Sequence, residues 1–261
     1  MDDPGREGTH LSALTAVVYR EAKIRATNFT FIFWDLFFPL LYMLVFGVGV
    51  NSALGAPTGI GNVSYHEFFL AGILAMASFA IASNTSWSFF LDRDNGIFYE
   101  MLTYPMSRSE YLLGKVIFNV LIAVAQGALT LAVGRGLLGI RVQWPKLPLL
   151  LAGMAIGTAG WFFFYAIFAL RIRRNDIFNS ITSVFYFVFM FASSMFYPLE
   201  PLPVWLRRAA LLNPITWEID WLRYTSIGIG NFHLVLLEGA AFLIFSLACF
   251  AYAVRCLQQQ E

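Results

Sequence analysis

Long apolar runs alternate with short polar ones along the chain, and six of the runs are long enough to cross a bilayer. They are Phe29 to Val50, Phe68 to Leu91, Val116 to Ile140, Leu147 to Leu170, Ile177 to Tyr197 and Phe232 to Val254. A hydrocarbon core about 30 Å thick needs roughly 20 residues of helix at about 1.5 Å per residue. Backbone amides in lipid must bond within their own segment, so each run is expected to be a helix rather than an open strand. The expected fold is an all-α membrane protein, one domain over residues 1–261 with six transmembrane helices. An even number of crossings leaves both chain ends on one side.

Three polar stretches predict the remaining elements. In residues 11–26, LSALTAVVYREAKIRA, Leu11, Leu14, Val18 and Ala22 recur at helical spacing while Arg20 and Lys23 face elsewhere. This predicts an interfacial helix along the membrane surface, with a helical extension of the first span as the alternative; Glu21 and Arg25 form an i,i+4 pair that supports it slightly. Residues 198–231 hold two short amphipathic pieces, PVWLRRAALL and ITWEIDWLRY, interrupted by Asn213 and Pro214. Neither piece can span, and Trp205, Trp217 and Trp221 suit headgroup level, so a re-entrant outer helical hairpin is expected before the last span. An external loop with two surface helices is the alternative. Residues 92–115 mix both charge signs, and within them Ile97, Phe98, Met101 and Leu102 make one apolar face of a short helix bounded by Gly96 and Pro105. Such a helix fits a groove on a soluble partner; a solvated loop is the equal alternative.

Composition sharpens this picture. The chain is 59% hydrophobic and 13% charged, where a soluble domain carries about 25% charged residues. A net charge of +1 gives no reason to expect nucleic acid. The opening MDDPGREGTH is polar where a secretory leader needs an apolar core, so the first span is expected to remain as an anchor. Arg6, Arg20, Lys23, Arg25, Arg93, Arg108, Lys115, Arg171, Arg173, Arg174 and Arg255 fall on one side of the six spans. Arg135, Arg141, Lys146, Arg207, Arg208 and Arg223 fall on the other, and the loop from Asn51 to His66 contains no cation. Cationic residues stay cytoplasmic, so both termini are expected inside. Cys249 and Cys256 lie seven apart on one expected helix, about 10 Å along its axis, too far to bridge and best read as packing residues.

Catalytic chemistry is sparse. His10, His66 and His233 are scattered, with no cluster at metal-ligand spacing. A phosphate-binding loop is absent: Gly114 and Lys115 are followed by Val116, and Ser109 stands where the first glycine would be needed. Any ATP used must be hydrolysed by another chain. Asp35, Arg135 and Glu238 are the ionisable residues inside expected spans; they either line a route or relay protons, or they snorkel and pair with neighbouring helices. Gly153, Gly157 and Gly160 allow close helix approach, as internal packing in preference to a dimer seam. The run FYFVFMF reads as lipid-facing filler ahead of a stacking wall.

Taken in order, YREAKIRATN, FPLLYMLVFGVGV, the Tyr65, Phe68, Phe69, Leu70 and Gly72 pattern, YPMSRSEYLLGK, and MFYPLEPLPVWLRRAALLNPITWEIDWLR resemble the ABC-2 type permeases, particularly drug-resistance and nodulation lipo-oligosaccharide exporters. The resemblance covers nearly the whole chain. It implies a dimer of six-span permeases in a bacterial inner membrane, each copy carrying a separate cytoplasmic ATPase subunit that binds the ATP and Mg, with no cofactor in this chain. It places the coupling helix at Tyr99, Glu100 and Met101 and the outer gate hairpin around Asn213 and Pro214. Asp92, Arg93, Asp94 and Asn95 depart from the more basic or glycine-threonine sequences frequent in the family.

The function expected is export of an amphiphile, a lipid-linked glycan, polysaccharide or hydrophobic drug, powered by ATPase subunits. Two rivals come from other classes: a proton-coupled secondary transporter using Asp35 and Glu238, and a membrane enzyme acting on lipids, for which no acid, base or nucleophile cluster is present.

Overall fold

The computed structural model describes residues 4–54 and 63–259, with side chains from residue 13 onward apart from Phe31, Asn51, Ala53 and Leu54. All regular structure among the described residues is helical. Helix α1 (Pro4–Thr27) precedes a first pass made of α2 (Phe29–Ile32), a widened π turn (Phe33–Phe37) and α3 (Phe38–Leu54). The passes continue with α4 (Tyr65–Asp94), the short α5 (Ile97–Met101), α6 (Arg108–Leu138), α7 (Leu147–Arg171) and α8 (Asn175–Phe191). Helices α9 (Val204–Leu211) and α10 (Pro214–Ser226) lead to α11 (Phe232–Gln258).

Sequence explains these limits. Pro39 has no N–H to give the Asp35 carbonyl, and the Phe38 N–H bonds instead to Phe33 O, so the helix opens by one residue around Asp35. Ser64 with Glu67 and Ser107 with Glu110 form capping boxes that start α4 and α6. Gly139 ends α6 at φ 66°, and Gly96 at φ 78° makes the turn into α5.

Among the described residues, five helical stretches have the length and composition to cross a membrane: Phe33–Val50, Tyr65–Asp94, Arg108–Leu138, Trp144–Arg171 and Phe232–Gln258. The fifth expected span, Ile177 to Tyr197, is represented by α8, which stops at Phe191; its 17 residues reach about 25 Å, short of the roughly 30 Å core. Helix α4 is the central pillar: 83% of its apolar window is buried, against 22% for the first pass and 28% for α11. Its neighbours are α3, α6, α7 and α10. The outer faces of α8 and α11 expose Val184, Phe187, Val188, Phe191, Leu237, Ile244 and Leu247; acyl chains solvate such faces without cost.

Glycines set the closest approaches inside one copy. A Cβ on Gly153 or Gly239 would stand 2.5 or 2.7 Å from the Trp221 ring, and on Gly160 2.2 Å from Ser246 Oγ. The glycine row of α7 therefore packs within the chain, as expected. The aromatic run of α8 divides between two faces: Phe185 meets Phe164 edge-on and Phe189 meets it tilted, while Phe187 and Phe191 face out. Cys249 and Cys256 are buried and unbridged.

Candidate functional site

Helix α1 carries a polar seam where an apolar one was expected. Among its described side chains Val17, Glu21 and Arg25, four apart, are the buried ones, and Leu14, Val18 and Ala22 are only half-buried; Leu11 lies outside the described side chains. Gly114 makes the approach possible, since a Cβ there would meet Val17 at 2.7 Å. Beside it Lys115, wholly buried, places Nζ 2.7 Å from Glu21 Oε1, 2.9 Å from Asp92 Oδ2 and 3.3 Å from Ser88 Oγ. Arg20 completes the hub, donating to Asp92 at 2.5 and 3.0 Å and to Glu21 at 3.0 Å, and the Tyr111 hydroxyl donates to Asp92. Two cations thus face two carboxylates across α1, α4 and α6. Burial alone works against the Arg20 charge, but the Asp92 bond and charge raise its pKa above the ordinary arginine value.

One turn further, Arg25 pairs with Asp35 in the π turn and donates to Thr85 Oγ1 at 2.7 Å; Thr85 in turn donates to Asn119 Oδ1 at 2.8 Å. Burial lowers the Arg25 guanidinium to about 10, still well above neutral. Asn84 donates to Asp35 at 2.7 Å from the other side.

The hub grips the two helices that flank α5. Phe98 of α5 is buried against Phe89 and Tyr111, while Tyr99 and Glu100 are exposed and Met101 is half-buried. Arg93, on the last turn of α4, donates to Ala169 O and Ile172 O and so satisfies carbonyls at the end of α7. Arg108 reaches Leu257 O at 3.1 Å, so the end of α11 lies at the α5 end of the bundle together with α1.

Beside Asn84 opens a groove of about 600 Å³ between the first pass, α4 and α8. Among the described residues its lining carries no charge: Asn28, Thr30, Ser83, Asn84, Asn179, Thr182 and Ser183 alternate with the rings of Trp34, Trp87, Tyr186 and Phe187.

At the opposite end, Asn213 accepts from Ile215 N at 3.2 Å to cap α10, and its amide donates to Phe189 O and Ala192 O at 2.9 and 2.7 Å. Pro214 occupies the first turn of α10, where its missing N–H costs nothing. Glu218 of α10 is buried against Gly157 and accepts from the Trp161 indole at 2.6 Å.

A family model described as ABC-2 type transporter matches residues 12–227, most of the chain. The chain belongs to the ABC-2 type transporter family. Among relatives, the inner membrane transport permease YadH of Escherichia coli K12 is 27% identical over 82% of this chain and 84% of its own length. Nodulation protein J of Rhizobium leguminosarum bv. trifolii is 24% identical over 73% of this chain and 71% of its own. The putative transport permease ycf38 of Cyanophora paradoxa is 27% identical over 71% of this chain, and the chain spans 64% of that relative's length. This ABC-2 chain is therefore a multi-pass membrane protein of a transport family.

Within this ABC-2 fold the three intramembrane ionisable residues part company. Asp35 is buried in the Arg25 pair, Arg135 is exposed with Nη1 3.5 Å from Ile140 O near the end of α6, and Glu238 is buried on α11. The sequence marks Glu21 only as an i,i+4 partner of Arg25 and does not bring Glu21, Asp92, Tyr111 and Lys115 together. Asp92, counted with the polar loop, turns inward instead. The available signals were the four-residue spacing of Val17, Glu21 and Arg25 and the Gly114-Lys115 pair.

Proposed function

We propose that the chain is the membrane permease of an ATP-driven exporter, crossing the inner membrane six times with both termini cytoplasmic and working as a pair of copies. ATP and Mg are bound by a separate ATPase subunit that docks on Tyr99, Glu100 and Met101. The observation that carries this reading is the hub: α5, with Tyr99 and Glu100 exposed, is held between two helices that Lys115, Asp92, Glu21 and Arg20 tie to α1. A push on α5 is then delivered to α1, α4 and α6 together, and through Arg93 to α7. Helix α8, short for a span, is complemented at its far end by the α9–α10 hairpin, which in this reading dips into the outer leaflet and closes the exit around Asn213 and Pro214.

The cargo is an amphiphile, and the groove beside Asn84 favours a glycan-bearing one. Neutral amides and hydroxyls pair with sugar hydroxyls, flat rings stack on sugar faces, and the absence of lining charge leaves no ionic trap. The resemblance of the sequence to nodulation lipo-oligosaccharide exporters supports the same class. Proton coupling through Asp35 is disfavoured because that carboxylate is already held by Arg25 and Asn84.

The test is transport in proteoliposomes with the partner ATPase. Glu100→Lys or Met101→Asp should leave insertion intact while ATP hydrolysis no longer drives export. Unchanged export in both variants would overturn the docking assignment.

A further inference from the structure

At the hairpin end lies a second cavity, about 310 Å³, between the segment after α8, helix α10 and the start of α11. Five ionisable side chains line it: Glu200, Arg207, Asp220, Arg223 and Glu238. The charge of Arg223 is committed. Its Nη1 lies 2.5 Å from Asp220, its Nη2 donates to Ser194 O at 2.7 Å, and the guanidinium sits 4.0 Å over the Phe68 ring.

Glu238 is left over. It is 6% exposed, and among the described residues it accepts no hydrogen bond and forms no ion pair; Oε2 is fully enclosed and without a partner. It senses Arg223 only at longer range, against the like charge of Asp220. Buried polar atoms lacking a partner are rare, and a buried carboxylate in that position is costly. Leu211, Leu234 and Val235 supply an apolar wall beside it.

We propose that this cavity binds the ammonium group of an amine-bearing amphiphile, with Glu238 as counter-ion and the Leu234 side of the cavity against its apolar body. An ammonium is compact and carries three donors, so from the cavity it can pair with the Glu238 carboxylate through a short charge-assisted bond. An anion would face three carboxylates, Glu200, Asp220 and Glu238, against Arg207 and the already committed Arg223, and a neutral alcohol would leave the carboxylate charge unanswered. The ammonium can come from an amine-bearing cargo or from an aminophospholipid headgroup. The site depends neither on the direction of transport nor on the ATPase partner.

The experiment measures binding of dodecylammonium, dodecyltrimethylammonium and dodecanol to the full chain in phosphatidylglycerol nanodiscs. The primary ammonium should bind at least about tenfold tighter than the other two, the step expected of one charge-assisted hydrogen bond. Glu238→Gln should abolish that preference, whereas Glu200→Gln should keep it. Equal binding of all three probes, or an unchanged preference in the Glu238→Gln variant, overturns the proposal; the three-probe comparison on the unaltered chain decides the matter even if that variant does not fold. Nanodiscs of phosphatidylethanolamine then separate the sources: weakened dodecylammonium binding there supports a lipid headgroup occupant, and unchanged binding supports an amine-bearing cargo.

Discussion

Lys115 Nζ stands 2.7 Å from Glu21 Oε1, with the lysine wholly shielded from solvent, so the contact between α1 and α6 joins a buried ion pair to the apolar approach of Val17 on Gly114. Removing one partner of such a pair leaves a buried charge unmatched, which costs about 3–5 kcal/mol. Lys115→Met should therefore lower the thermal melting point of the purified chain sharply. Pairing it with Glu21→Gln should recover part of the loss, and a double-mutant cycle giving no coupling would sink this account of the hub.

The Arg25 and Asp35 pair predicts a similar pattern with a functional readout. Asp35→Asn should destabilise, while Arg25→Met combined with Asp35→Asn should regain stability because both charges leave together. ATP-dependent export should survive in the double variant. Its complete loss, with the protein still folded, would favour a proton role for Asp35.

Gly157 and Gly136 should respond in opposite ways to alanine. At Gly157 the new methyl would stand 2.1 Å from Glu218 Oε1 and 2.7 Å from Cδ, driving the carboxylate off the Trp161 indole; about 1–3 kcal/mol of destabilisation is expected. Gly136 has nothing within 4 Å, so alanine there should be neutral or stabilising by up to about 1 kcal/mol. Melting curves of the two single variants check the contrast.

Asn213 both caps α10 and donates to α8, and two substitutions separate the roles. Aspartate keeps the acceptor for Ile215 N but replaces the amide donors to Phe189 O and Ala192 O by negative charge. Alanine loses both. If the bond to α8 dominates, aspartate should be no better than alanine, each costing about 1–3 kcal/mol; an aspartate variant as stable as the original would assign the residue to capping alone.

The long helices were legible because an apolar run of bilayer length has only one way to satisfy its backbone. Their bounds differ from the expected spans mainly at the ends, where Ser107, Gly139 and Asn231 set caps. Less visible was which polar residue turns inward. Glu21, Asp92 and Lys115 come from three separate segments, and only the packing of α1 and α4 on α6 brings both carboxylates within 3 Å of the Lys115 ammonium. The widened turn at Asp35 follows from Pro39, but its pairing needs Arg25 on the preceding helix and Asn84 on the next pass. Both faces of α8 are rich in Phe, so composition does not separate Phe189, packed on Trp161, from Phe187 outside.

The Arg25 and Asp35 pair also bears on biogenesis. The arginine lies ten positions ahead of the aspartate, so it is synthesised first and is at hand when the first span leaves the translocon. Insertion of that span brings its own neutralising charge and does not wait for Asn84, whose amide joins only after the next pass has been made.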